Sequence, residues 1–483
     1  MRTLPTTSWL LDGRRSVPRA TVISWWHGLW KAAVVGFQWV AFLCLVLQFQ
    51  TVSAAPPAIV FVLVDDMGYA DLGCQGATDI RTPHADRLAR EGLRFTDFYA
   101  NAPVCTPTRC GFITGRWQQR TGLEWAFGFT AQAFRRQGSE WMPETDMHGL
   151  GLPTDIPTLP VMLQAKGWAT GCFGKWHLGY RDEYNPIHRG FDEYFGELLG
   201  HADYYNHAYY DGTYALRDGL KPIRQEGYFT DLVNARAVDF VRRHRTAPFF
   251  LYVPHLAVHA PWQPPGRPLP SVTRDTMYAG TRRDYVAMLE KVDDGLGMLM
   301  EELARQGRLE DTLIVLSSDN GGERLSDNSP LAHKKSTLWE GGIRVPCLMR
   351  WPARLPQGKT IEQPAITMDL AATFATIAGA SPPAAAPFDG IDLLPILTGR
   401  APPAERTFFW RIDRPARQQK AVRHGDWKYL KDGNVELLFD VRNDPGERND
   451  LYRKHPDIMA DLKNRLAAWE AEMAAAEPRI LVK

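Results

Sequence analysis

The 483-residue sequence lacks a charge surplus of either sign, since 56 Lys and Arg face 55 Asp and Glu for a formal net charge of +1. Recruitment of nucleic acid or another polyanion by bulk charge is therefore not implied, although local basic clusters remain available for an anionic ligand. Cysteine is scarce. Cys44, Cys74, Cys105, Cys110, Cys172 and Cys347 are the full set, and no pair has zinc-site or C-x-x-C redox spacing. Cys172 and Cys347 lie in apolar, strand-like runs, which reads as buried thiols rather than a disulfide framework. No internal repeat is present. The apolar run from Ala32 to Leu47 is short for a membrane span and is weakened by Gln38 and Gln48. With Arg14, Arg15, Arg19 and Lys31 before it and Val52-Ser53-Ala54 after it, the run reads as a secretory signal peptide cut near Ala54–Ala55, with an uncleaved anchor as the other reading.

What is present is a series of apolar runs that each end in a few polar residues. Ala58 to Val64 is continuously apolar, as a central parallel strand buried on both faces should be, and it ends in Asp65-Asp66-Met67-Gly68-Tyr69. Two adjacent carboxylates roughly 4 Å apart repel by about 4 kcal/mol at an effective dielectric near 20, and a cation offsets that. Trp168 to Phe173 ends in Gly174-Lys175-Trp176-His177. Pro248 to Pro254 ends in His255 and His259, where Pro254 and Pro261 argue against a zinc-binding helix. Thr312 to Ser317 ends in Ser318-Asp319-Asn320-Gly321-Gly322. Ligands of open α/β sheets bind outside the carboxyl ends of strands, so these endings are candidates for one cleft. Asp65, Asp66, Asp319 and Asn320 would supply oxygen donors alone, which favours Ca2+ or Mg2+ over zinc.

The stretch Val104 to Arg116 reads V-C-T-P-T-R-C-G-F-I-T-G-R. Pro107 suits a first helical turn, which places Cys105 at the positive end of a helix with Arg109 one turn along on the same face. That placement favours an anion beside Cys105.

Cys105-Thr106-Pro107-Thr108-Arg109, with Thr114-Gly115-Arg116, resembles the signature of the type I sulfatases. D-D-M-G-Y-A-D-L-G-C-Q-G, G-K-W-H-L-G, S-D-N-G-G and the Lys five residues before the Glu of E-G-G also resemble that family's motifs, in family order, over about residues 57–452. His188 to Tyr205 is similar to the N-acetylgalactosamine 4-sulfatase (arylsulfatase B) branch, and Tyr204, Tyr205, Tyr209 and Tyr210 are either a sugar floor or ordinary packing. The resemblance implies an alkaline-phosphatase-like α/β fold: a large mixed, mostly parallel sheet flanked by helices, with a smaller C-terminal α+β subdomain carrying an antiparallel sheet. It implies a signal peptide over 1–54, a catalytic domain over 55–395 and a C-terminal subdomain over 396–483.

By the same resemblance Cys105 is converted to formylglycine by a formylglycine-generating enzyme. Asp65, Asp66, residue 105, Asp319 and Asn320 hold a divalent cation, Ca2+ or Mg2+. Lys175, His259 and Lys335 hold the sulfuryl oxygens. Arg109 and Lys175 assist the hydrated aldehyde, and His177 is the base that later collapses the intermediate. The implied activity is hydrolysis of sulfate monoesters, aryl or sugar, by an exported enzyme. Two other readings stay open: a phosphodiester or phosphonate monoester hydrolase on the same scaffold, and a non-catalytic sulfoglycan-binding protein. Around these motifs, helices are expected over Phe229–Arg243, Tyr285–Leu303 and Pro456–Ala474. Asp293 and Asp294 are expected on a solvated face, Lys334 as a solvated neighbour of Lys335, and Gly122 to Pro153 as a substrate-side loop.

Overall fold

The computed structural model describes residues 57–126, 133–136, 142–143, 149–209, 212–268, 272–273, 276–414, 417–476 and 480–482. The expected leader lies outside them, as do Phe127, Phe129, Trp141 and Met147 of the expected substrate-side loop, and Tyr210. No helix among the described residues is long and apolar enough to cross a membrane.

Ten strands form the main sheet. In chain order they are β1 (Ala58–Val64), β2 (Leu93–Phe95), β3 (Ala169–Lys175), β4 (Glu193–Glu197), β5 (Arg217–Asp218), β6 (Lys221–Pro222), β7 (Phe249–Pro254), β8 (Thr312–Ser318), β9 (Cys347–Arg350) and β10 (Lys359–Ile361). Their spatial order is β10-β2-β9-β8-β1-β7-β3-β4-β5-β6, and the central run β8-β1-β7-β3-β4 is parallel. Every residue of β1 is buried. Ile59, Phe61 and Leu63 pack on one side with Phe112 and Phe374, while Val60, Val62 and Val64 pack on the other with Val233, Phe240, Leu289 and Leu296. Alternate side chains of a strand point to opposite faces, so a strand covered on both faces must be apolar throughout.

The helices that cover the sheet follow from the same logic. Helix α1 (Pro83–Glu91) opens on a proline in its first turn, where no N–H is needed. Helix α2 (Cys105–Thr114) is buried along its whole length and stops at Gly115, whose φ of 67° is the left-handed cap that glycine tolerates. Phe229–Arg243 forms α3 as expected. The expected Tyr285–Leu303 helix extends to Arg282–Arg305 as α4, because Thr281 and Asp284 close a capping box one turn earlier. Asp293 is a correction: it is buried, and its carboxylate accepts from the backbone N–H groups of His84 (3.0 Å) and Ala85 (2.8 Å) at the start of α1. Burial raises its carboxyl to about 6, against the pull of those two N–H groups, which favour the charged form. Asp294 is exposed as expected.

The C-terminal part is a four-stranded antiparallel sheet, β11 (Thr407–Arg414), β12 (Arg417–His424), β13 (Trp427–Asp432) and β14 (Val435–Asp440), backed by helix α5 (Pro456–Ala475). Phe408, Trp410, Leu430 and Trp469 join Tyr99, Leu338, Ile343 and Ile366 in one apolar cluster, so the sheet is anchored on the main fold by a shared core. Cys74, Cys105, Cys110, Cys172 and Cys347 are free thiols.

Candidate active site

Register brings the strand endings level. Val64 pairs with Ser318 in the parallel ladder, so Asp65-Asp66 and Asp319-Asn320 leave the sheet side by side. Leu63 pairs with Pro254, and Tyr252 with Cys172, which sets His255 and Lys175 in the same row. The N–H of Asp65 donates to Ala257 O (3.0 Å) and the N–H of Val258 donates to Asp65 O (2.8 Å), fixing the segment that carries His259.

Helix α2 points its N-terminus into this row. Its Arg109 is buried, and each guanidinium nitrogen is used. Nε and Nη2 donate to Asp319 Oδ2 (3.0 and 2.8 Å), Nη2 also to Asp65 Oδ2 (2.9 Å), and Nη1 to the Lys175 carbonyl (2.8 Å). Thr106 Oγ1 donates to His177 O (3.2 Å). One residue thus ties the endings of β1, β3 and β8 to the helix that carries Cys105. Lys175 forms a buried ion pair with Asp65, and Lys335 Nζ lies 2.7 and 2.8 Å from the two Asp66 oxygens.

These contacts decide which groups carry charge. Burial alone would raise the Asp65 carboxyl, but Lys175, His259, Arg109 and Lys335 overcome it and hold it below the usual carboxylate range. Asp66 goes the other way, to about 7, because burial and the Asp65 and Asp319 charges outweigh Lys335. Burial lowers both lysines, yet Asp65 keeps Lys175 raised and Asp66 keeps Lys335 raised. His177 and His259 are pushed far down by burial, with Lys175 and Lys335 as the leading charges against them respectively, so both rings are neutral. His259 Nδ1 lies 2.6 Å from the Ala260 carbonyl, which can only accept, so Nδ1 carries the proton and Nε2 is a free lone pair. Burial also raises the Cys105 thiol, against the pull of Lys175 and Lys335. The encoded cysteine is therefore held as a thiol rather than as an activated thiolate.

The same residues suit a hard divalent cation. Ligand atoms of Asp65, Asp66 and His259 lie within 4.8 Å of one another. Asp65 Oδ1 and Asn320 Oδ1 are buried, with no hydrogen-bond partner among the described residues. Orphaned buried acceptors are costly, and a cation satisfies them. With Asp66 ionised, as a bound cation favours, three carboxylates (−3) face Arg109, Lys175 and Lys335 (+3), and the polar cluster sums to zero before the cation is counted. A divalent cation makes it +2, ready for an anion.

Asp65, Asp66, Cys105, Arg109, Lys175, His177, His259, Asp319, Asn320 and Lys335 are thus brought together. Lys335 rather than Lys334 enters the site, while Lys334 is held outside by Glu323 at 2.6 Å. His255 is buried, and burial takes its ring down to about 3. Tyr204 and Tyr209 are structural: Tyr204 OH donates to His259 O (3.0 Å), and Tyr209 OH accepts from Leu198 N–H (3.2 Å). Gly200 packs against His177, where an added Cβ would lie 2.4 Å from the imidazole Cε1. Sequence reading missed Glu197, the buried register partner of Lys175, and every C-terminal side chain that reaches toward the Lys335 loop.

The chain is similar to known proteins in sequence and in fold. The family model described as Sulfatase matches residues 57–380, and the model for N-sulphoglucosamine sulphohydrolase, C-terminal, matches residues 332–472. The chain is 32% identical to N-acetylgalactosamine-6-sulfatase of Canis lupus familiaris over 405 residues, covering 79% of this chain and 74% of that protein. It is 33% identical to arylsulfatase A of Bos taurus over 462 residues, covering 85% and 86%. Among solved structures it is similar to Ps i-CgsB, with a TM-score of 0.75, 31% identity and coverage of 86% of this chain and 92% of that one. That protein has also been solved in complex with k-i-k-neocarrahexaose.

Proposed function

Because the chain belongs to the type I sulfatase family and is a sulfuric ester hydrolase, we propose that it cleaves sulfated saccharides in the pocket centred on residue 105. The family's formylglycine would stand at Cys105. The observation that carries this reading is the meeting of Asp65, Asp66, Asp319 and Asn320 with Arg109, Lys175 and Lys335 around the first turn of one buried helix. The saccharide preference draws on the names of the relatives, one an N-acetylgalactosamine-6-sulfatase and one solved with a neocarrahexaose.

Asp65, Asp66, Asp319 and Asn320, with residue 105, would hold the divalent cation, Ca2+ by its oxygen donors. Bound there, the cation supplies Lewis-acid stabilisation of negative charge on the sulfuryl group. The formylglycine hydrate supplies an oxygen nucleophile and a second hydroxyl, through which sulfate is released by C–O cleavage.

The chain's own residues do the rest. Lys175 and Lys335, both kept charged by their aspartate partners, bind sulfuryl oxygens and stabilise charge that builds in the transition state. Arg109 holds Asp65 and Asp319 in place and lends positive potential to residue 105. Asp319 accepts the first proton from the hydrate. Neutral His177 accepts the second. His259 presents Nε2 toward Asp66 Oδ2 at 3.9 Å, and a bound anion there favours its imidazolium, which donates to the leaving alcohol. Export behind a leader at 1–54, and division at about residue 395, complete the proposal.

Two measurements test it together: the mass of the peptide around residue 105 after co-expression with a formylglycine-generating enzyme, and turnover of an aryl sulfate against an aryl phosphodiester. The expected result is an aldehyde mass and faster sulfate cleavage. An unmodified, inactive Cys105, or preference for the phosphodiester, overturns it.

A further inference from the structure

Lys335 sits on a loop whose backbone is not self-supporting. His333 (φ 61°) and Ser336 (φ 70°) both lie in the left-handed region that non-glycine residues avoid. Side chains flanked by such backbone stay in place only when surrounding contacts over-determine them. The main domain gives the loop two backbone bonds at this point, Lys335 N–H to Gly322 O (3.1 Å) and Ser336 N–H to Pro103 O (2.9 Å).

Further struts come from the C-terminal part. Arg417 Nη1 donates to Ser336 O (2.8 Å), one residue from Lys335. Gln419 Oε1 accepts from the buried Leu338 N–H (2.8 Å). Trp339 Nε1 donates to Asp432 Oδ2 (3.1 Å). The fully buried Lys428 lies 2.9 Å from Glu340 Oε1 and 2.8 Å from Glu447 Oε1, and Glu447 Oε2 accepts the Glu340 N–H (2.6 Å). The Glu340–Ile343 turn then packs on the metal-side loop, with Gly321 N–H donating to Gly342 O (3.0 Å). Arg417 and Gln419 are two apart on one strand and grip alternate residues of the loop.

We propose that the C-terminal sheet is part of the anion site's construction, with Arg417 and Gln419 acting as positioning residues that hold Lys335 against the sulfate. This inference rests on Lys335 as a sulfate contact. Arg417 is exposed, so its removal leaves the core intact.

The test uses the full chain matured at position 105, with an aryl sulfate as substrate and inorganic sulfate as competing anion. Arg417→Ala is expected to raise both KM and the inhibition constant of sulfate by about three- to tenfold, the worth of one lost hydrogen bond, with the melting midpoint unmoved. Arg417→Lys, which can still donate to Ser336 O, restores most of the loss. Gln419→Ala repeats the effect from the second strut. In a Lys335→Ala background, Arg417→Ala adds nothing further, because both act through the same ammonium. Wild-type KM and sulfate inhibition in Arg417→Ala and Gln419→Ala, beside a weakened Lys335→Ala, refute the clamp. So does an Arg417→Ala effect that persists undiminished without Lys335. If Lys335→Ala itself changes nothing, the assignment of Lys335 fails first, and the two failures are told apart.

Discussion

Replacing Arg109 with Lys keeps the charge and removes the fork. The guanidinium makes four hydrogen bonds to Asp319, Asp65 and the Lys175 carbonyl at 2.8–3.0 Å. The lysine ammonium donates from a single point and cannot reach acceptors on three strand ends at once. At least the Lys175 carbonyl and one carboxylate oxygen are then left buried without a donor, at about 1–3 kcal/mol each. Arg109→Lys is therefore expected to cost about 2–6 kcal/mol. Arg109→Met also removes the countercharge of two fully buried carboxylates, which alone costs about 3–5 kcal/mol. Urea unfolding should rank wild type above Lys and Lys above or level with Met. The same displacement reaches the nucleophile: about 2.7 kcal/mol of lost transition-state stabilisation is a hundredfold in kcat/KM, and Arg109→Lys should lose at least roughly that on an aryl sulfate. An Arg109→Met protein with the wild-type urea midpoint would refute the argument that this residue ties the three strand ends together.

Cys105→Ser should keep the fold, since the buried side chain hardly changes in volume, and should lose aryl sulfate turnover; full turnover would contradict the role of the aldehyde. Wild type should melt higher on adding Ca2+, by up to about 2.7 kcal/mol at a hundred times the dissociation constant, whereas Asp319→Asn should show a smaller upshift in differential scanning fluorimetry; an equal upshift would remove Asp319 from the ligand set. Burial, reinforced by Glu340 and opposed by Lys428, raises the Glu447 carboxyl to about 7. A raised folded-state value contributes stability below the unfolded value near 4.5 that is lost as pH rises through about 7. Wild type should therefore lose stability relative to Glu447→Gln between pH 5 and pH 7.5, and parallel urea midpoints across that range would disprove it.

The site was legible because its chemistry sits where periodicity stops. Each of Asp65, Lys175, His255 and Asp319 follows or ends an apolar run, and a parallel sheet in register brings such endings into one row. Arg109 was legible as a helical neighbour of Cys105, but its partners on β1, β3 and β8 were not, because they are set by ladder register. Asp293 was misread since its acceptors' partners are two N–H groups more than 200 positions earlier. Arg417, Gln419 and Lys428 look like the polar face of short antiparallel strands, and nothing local marks them as turned toward a distant loop. Their grip on residues 336–340 depends on how the C-terminal sheet docks, which is a property of the shared core around Tyr99 and Trp410.

Helix α2 is enclosed from its first residue to its last, and the Cys105 side chain is 3% exposed. A macromolecular catalyst cannot wrap a backbone sealed on all sides. The conversion of Cys105 proposed above would therefore have to precede closure of this helix. A polypeptide that collapsed to this structure too early would lock its own nucleophile in the wrong chemical form, and only unfolding would give it a second chance.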